Sequence, residues 1–290
     1  MNPRIVVAIV LSWSFTVRAA DEPKPSDNVK TEYDVVYAKV GDTELKLDIA
    51  RPAGGSGAYP AVLAIHGGAW RTGNKADMRP LLLELARRGF VAVSPQYRFC
   101  PKETFPAQVH DLKAAVRFVK SHAKDYQLDP DRVGAMGFSA GAHLAMMLGV
   151  TGPEDGLEGE AAADAPSSKV RAVVNYFGPT DLRADDIPPV SRGLVKDFLG
   201  GTVEEKPEAA AKASPITFVN QGDAPILSFQ GTKDPLVPHT QATKLADAQT
   251  KAGVPGRVEL LVGFGHGWAG DDLVQTAEET YGFFKKHLKP

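Results

Sequence analysis

The sequence predicts an α/β protein in which a mostly parallel central sheet is flanked by helices and carries a small cap. Two observations predict it: apolar strand-like runs alternate with helix-like stretches from one end to the other, and glycine-bearing turns follow several of the strands. The length of 290 residues suits one large domain of this type and is ample for a substantial core.

Taken in order, the chain opens with Arg4, an apolar stretch over residues 5–15, and Val17-Arg18-Ala19-Ala20 before the polar Asp21-Glu22-Pro23-Lys24-Pro25. This pattern reads as a secretory signal over residues 1–20, cleaved near Ala19 or Ala20. Its apolar core of 11 residues is short for a bilayer span, so the expectation is export to a periplasm or the medium with no stable membrane insertion after cleavage. Residues 21–30, rich in charge and proline, are expected to be a flexible segment ahead of a domain over residues 31–290.

A hairpin over residues 31–40 and 44–50 turns at Gly41-Asp42. The run Pro60-Ala61-Val62-Leu63-Ala64-Ile65 is a buried strand, and residues 75–88 and 106–124 are helices. In the second helix Val109, Leu112, Val116 and Val119 recur at helical spacing, which directs His110 and Lys113 away from the core face. Arg132-Val133-Gly134-Ala135-Met136 is a strand running into a helix that ends near Leu148. Residues 151–169, rich in Gly, Glu, Ala and Pro, read as a surface excursion before a strand over 170–177. Residues 178–214, with short helices over 194–199 and 204–212, are the expected cap. A strand over 224–230, a helix over 239–252, a strand over 257–262 and a helix over 271–286 complete the pattern.

Chemistry gathers where strands end. Gly137-Phe138-Ser139-Ala140-Gly141 joins strand to helix, a context that strains the serine backbone and lifts its hydroxyl above the sheet edge. Upstream, His66-Gly67-Gly68-Ala69-Trp70 follows a strand; its small residues let backbone amides approach an oxygen that gains negative charge during acyl transfer. Gly68 and Ala69 are the expected donors from this loop, Ala140 the donor next to the nucleophile, and His66 a brace for the loop. Asp234, in Gly231-Thr232-Lys233-Asp234-Pro235, sits at a strand's C-terminal end, where a carboxylate can orient a base. His266, between Gly265 and Gly267, is the expected general base; the other helical histidines, His110, His122, His143, His239 and His287, are expected on surfaces or in packing. The chain order Ser139, Asp234, His266 differs from that of chymotrypsin and of subtilisin. Asp111, on a helix ahead of the serine, reads as a structural anchor. Trp70, Phe138, Phe177, Pro179 and Trp268 are candidate substrate contacts, and Cys100 a packing residue.

With these motifs the chain resembles the α/β-hydrolase superfamily, and within it the esterase/lipase group of hormone-sensitive-lipase-like carboxylesterases and bifunctional feruloyl and acetyl-xylan esterases. The resemblance spans nearly everything from Tyr33 to Leu288 and also rests on Phe105-Pro106-Ala107-Gln108 leading to Asp111 and on Asp129-Pro130-Asp131-Arg132-Val133. It departs from many relatives at Ala69-Trp70, where they carry a third glycine; a His-Gly-Gly-x-Trp form also occurs in kynurenine formamidases. The resemblance implies hydrolysis of short-chain carboxylic esters, acetyl or feruloyl esters of polysaccharides among them, without a cofactor. A formamidase-like amide hydrolase and a catalytically silent binding module on the same fold remain open alternatives.

Composition narrows the partners. Loss of residues 1–20 would remove two of 33 basic residues against 35 acidic ones, a formal charge of −4, and no basic stripe suggests nucleic acid. The single cysteine excludes an intrachain disulfide and any multi-cysteine metal site, and no His-Glu-x-x-His spacing occurs, so no metal is expected. The expected partner is a small-molecule or polysaccharide ester.

Overall fold

A computed structural model describes residues 28–54 and 58–289. The expected signal at residues 1–20 lies outside the described residues. Eight strands form one sheet: β1 (Val29–Val40), β2 (Thr43–Pro52), β3 (Tyr59–Ile65), β4 (Val91–Pro95), β5 (Leu128–Phe138), β6 (Val173–Tyr176), β7 (Ile226–Gly231) and β8 (Gly256–Leu261). Their spatial order is β1-β2-β4-β3-β5-β6-β7-β8; β1 and β2 run antiparallel to their neighbours and the other six are mutually parallel. Strand β1 begins at Val29, inside the segment expected to be flexible, because Val29 and Lys30 pair with Pro52 and Arg51 and Val29 is buried.

The helices are α1 (Arg79–Arg87), α2 (Ala107–Ser121), the single turn α3 (Ala123–Tyr126), α4 (Ala140–Val150), α5 (Pro189–Leu199), α6 (Pro207–Lys212), α7 (His239–Ala252) and α8 (Asp271–His287). Strand alternation sorts the core into two layers: Ala61, Leu63 and Ile65 of β3 pack with Val109, Val116 and Leu144 of α2 and α4, while Val62 and Ala64 pack with Leu82, Leu85 and Phe284 of α1 and α8. Gly134 lies over the Phe284 ring, which a Cβ there would meet at 2.8 Å.

Three differences from the sequence expectations have physical reasons. Strand β4 was not expected; its five residues, all buried, are too few to show a period. The helix expected over residues 75–88 begins as a 3-10 turn at Lys75–Met78, capped by the Asn74 side chain, because Pro80 at the second position of α1 restarts the helix. Lys113, which was expected only to point away from the apolar face, is fully buried, and its ammonium donates to Glu158 at 2.6 Å and to the Thr151 carbonyl at 3.1 Å. Arg117 joins the same carboxylate at 2.8 Å, so the 151–169 excursion folds back as a cover over the polar face of α2. Among the described residues, no helix is long and apolar enough to cross a membrane.

Candidate active site

Strand β5 ends at Phe138, and the chain reverses through Ser139 into α4. Ser139 has φ 54° and ψ −121°, the strained conformation its motif predicts. The reversal needs glycine on both sides: a Cβ on Gly137 would strike the backbone of Gly141, and one on Gly141 would strike the carbonyl oxygens of Ile65 and His66. The amide of Ala140, first in α4, has no acceptor within its own helix and stands beside the Ser139 side chain.

The loops after β7 and β8 bring Asp234 and His266 to this serine. His266 Nε2 lies 2.9 Å from Ser139 Oγ, and His266 Nδ1 lies 2.7 Å from Asp234 Oδ2. A carboxylate accepts only, so Nδ1 carries the proton and Nε2 is left to accept from the serine hydroxyl. Asp234 is fully buried yet well supplied with donors: the amides of Leu236 and Val237 reach Oδ1 at 2.8 and 3.0 Å, and Gln230 Nε2 reaches Oδ2 at 2.9 Å. Four donors on one carboxylate fix its plane. Gln230 was missed in the sequence; it lies at the end of β7, and its value as a donor shows only once the turn after it folds back.

The loop after β3 lies against the serine, since a Cβ on Gly67 would meet Ser139 Cβ at 3.4 Å and Phe138 O at 2.8 Å. Gly68, Ala69 and Trp70 have φ 115°, 52° and 58°, a run of positive φ that is rare for the two residues carrying a Cβ. The amides of Arg71 and Thr72 close the turn on the Gly68 carbonyl at 3.0 and 3.1 Å. His66 braces this loop, as its position implied: Nδ1 donates to the Gly67 carbonyl at 2.8 Å, the ring stacks on Tyr97 at 4.6 Å, and burial depresses its pKa. Cys100 is buried behind the loop; its amide donates to the Trp70 carbonyl at 3.0 Å and burial pushes its thiol up to about 11, which keeps it protonated and unreactive. Asp111 anchors the neighbouring segment, accepting Arg98 through both carboxylate oxygens and through the Arg98 amide.

The five expected substrate contacts divide. Phe138, Pro179 and Trp268 are half-buried. Phe177 is buried with φ 48° and stands 4.7 Å from the His266 ring and 5.4 Å from Trp268. The Trp70 side chain is also buried, stacked on Phe198 of α5 at 4.4 Å with its Nε1 donating to His143 Nδ1 at 3.2 Å, so its ring belongs to the packing between this loop, α4 and α5.

A nucleophile elbow after β5, an acid loop after β7 and a histidine loop after β8, on this strand order, define the class: an α/β-hydrolase of the esterase/lipase group. The chain belongs to the BD-FAE family, whose model matches residues 47–248. The esterase LipQ of Mycobacterium tuberculosis is 33% identical over 198 residues, which is 67% of this chain and 46% of LipQ; the chain spans about half the length of the curated relatives it matches. Among solved structures, a truncated carbohydrate esterase from gut microbiota superposes with a TM-score of 0.74 at 27% identity, covering 91% of this chain and 99% of that one. Esterase 2 of Thermogutta terrifontis, in a form phosphorylated by paraoxon, superposes with a TM-score of 0.72 at 28% identity, covering 89% and 94%.

Proposed function

We propose that this protein is a serine carboxylesterase acting on short-chain esters through an acyl-enzyme. Ser139 Oγ attacks the ester carbonyl carbon while His266 Nε2 takes the hydroxyl proton; the imidazolium then protonates the leaving alkoxide, and Asp234 holds the ring in register. The amides of Ala140 and of Gly68 and Ala69 receive the developing oxyanion. Water, deprotonated by His266, then attacks the acyl carbon and releases the acid and Ser139. The observation that carries this reading is the unbroken hydrogen-bonded series from Ser139 Oγ through His266 to Asp234.

Acetyl or feruloyl groups on polysaccharide are the proposed natural esters. The family membership and the likeness to a carbohydrate esterase support that substrate class, and the signal-like residues 1–20 support an exported enzyme that meets polymer outside the cell. Acid release measured by pH-stat tests it, on short aryl esters, acetylated xylan, a feruloyl ester and N-formylkynurenine, with Ser139→Ala as the blank. Turnover of the decorated sugars that vanishes in Ser139→Ala is the expected result. Turnover of N-formylkynurenine alone would instead make the protein an amide hydrolase, and no serine-dependent turnover would leave a silent module.

A further inference from the structure

The oxyanion loop holds an expensive conformation, and its support comes from a residue outside the triad. Gly68 takes a positive φ freely, but Ala69 and Trp70 carry a Cβ and are left-handed in succession, which persists only where surrounding contacts over-determine it. Backbone hydrogen bonds close the turn around Gly68 and tie the Trp70 carbonyl to Cys100. His66 Nδ1 bonds the Gly67 carbonyl and the Cys100 thiol lies against the Ala69 carbonyl; a further hold is on the Trp70 indole, which is clamped between two side chains: it stacks face to face on Phe198, and its Nε1–H donates to His143 Nδ1 at 3.2 Å.

His143 is fully buried in α4, four residues beyond Ser139, with its amide bonded to the Ser139 carbonyl at 3.0 Å. An indole N–H only donates and a carbonyl only accepts. His143 Nδ1 therefore accepts from Trp70, and Nε2 carries the proton to the Ala213 carbonyl, 2.7 Å away, just past the end of α6. Both ring nitrogens are satisfied, in one tautomer, by partners from the oxyanion loop and from the cap. The ring stands edge-on to Trp70 and to Phe198, at 86° and 90°, so it cannot rotate without breaking both bonds.

We infer that His143 is a positioning residue for the oxyanion hole: through the Trp70 indole it fixes the Ala69 and Trp70 backbone against the helix that carries Ser139, and through Ala213 it ties that alignment to the cap. His143 touches neither substrate nor the reacting atoms. Its effect is exerted where charge develops in the transition state, so it governs kcat more than ground-state binding. The inference rests on the serine-esterase reading of the site.

The test compares His143→Leu, His143→Asn and Trp70→Phe, with every rate normalised to sites titrated by a fluorophosphonate so that unfolded molecules are not counted. His143→Leu removes both hydrogen bonds; His143→Asn places a carbonyl near the position of Nδ1 and restores an acceptor for Trp70. The expected result is a kcat on p-nitrophenyl acetate lowered about 10- to 100-fold in His143→Leu, the range for a displaced oxyanion donor, with KM within about threefold. Affinity for a phenylboronic acid, which forms a tetrahedral adduct on the serine, should fall in parallel. His143→Asn should recover most of the loss, and Trp70→Phe should fall as His143→Leu does, with the double variant no worse than the poorer single. A wild-type kcat per titrated site in His143→Leu or in Trp70→Phe would overturn the inference, as would losses that multiply in the double variant. If His143→Leu does not fold, Trp70→Phe and His143→Asn decide the matter by the same readings. A wild-type protein that neither takes up the fluorophosphonate nor hydrolyses esters would overturn the serine-esterase reading, and this inference with it.

Discussion

Replacing Asp234 by Asn removes one charge and exchanges one acceptor for a donor, and the surroundings make that exchange consequential. Every neighbour of the Asp234 carboxylate is a donor: the amides of Leu236 and Val237 on Oδ1, Gln230 and His266 on Oδ2. With its oxygen turned toward Oδ1, the new side chain keeps both backbone bonds and sets its NH2 against Gln230 and His266. The clash at His266 is relieved if the imidazole moves its proton to Nε2, which leaves only Gln230 facing another donor. Turned the other way, the side chain keeps the tautomer but confronts two immovable amides, at about 1–3 kcal/mol for each buried donor left unpaired. The first arrangement wins by about one such penalty. It is also the inactive one, because a protonated Nε2 cannot accept the Ser139 hydroxyl proton. Turnover of Asp234→Asn should therefore fall on the order of 10⁴-fold, about 5 kcal/mol in the barrier, with KM nearly unchanged. The assay is kcat on p-nitrophenyl acetate at neutral pH, with far-UV circular dichroism to establish the fold. A folded Asp234→Asn that keeps more than a tenth of wild-type kcat would refute the tautomer reasoning.

Three further outcomes are expected. Gly141→Ala places a methyl on the carbonyl oxygens of Ile65 and His66, both backbone, so α4 must withdraw from β3; stability should fall by about 1–3 kcal/mol or more in urea melts, and kcat by at least tenfold as Ser139 leaves the oxyanion loop. Gln230→Met keeps the volume but withdraws a donor from Asp234, which should lower kcat about tenfold, and Gln230→Glu should do more damage at neutral pH by setting a carboxylate against Asp234; steady-state kinetics of the pair separate the two effects. Burial lowers the His143 pKa from 6.5 to about 4, so above pH 6.5 it is neutral folded or unfolded, and below that the unfolded chain takes up a proton the folded one refuses. Stability should thus decline as pH falls from 6.5 to about 4, with about 3 kcal/mol owed to His143, and urea titrations of His143→Gln across that window should lack this component.

The legible parts of this chain were those where local chemistry and local structure agree. Ser139, Asp234 and His266, which the structure brings together, could be singled out because each follows a strand and lies in or beside a glycine-bearing loop, and α7 begins and ends at the expected residues, His239 and Ala252. Contacts made by distant segments could not be read. The burial of Lys113 could not be read because nothing on α2 reveals that Glu158 returns to cover it. Trp70 looked like a substrate contact because its partners, His143 and Phe198, lie far along the chain. Gln230 occupies an inconspicuous strand position, and its role depends on the turn at Asp234 folding back toward it.

The route of the chain between β6 and β7 also bears on how such a fold can diversify. These strands are parallel neighbours, paired from Val173 with Ile226 to Tyr176 with Phe229, so the segment that carries α5 and α6 must also bring the chain from one end of the sheet back to the other. A crossover of this kind needs only about 10–12 residues, and everything beyond that minimum is free to vary without re-registering a strand. Descendants can lengthen, shorten or replace this region while Ser139 before it and Asp234 and His266 after it keep their places. The Trp70–His143–Ala213 linkage sets the boundary of that freedom, because a replacement must still present a carbonyl where Ala213 now offers one.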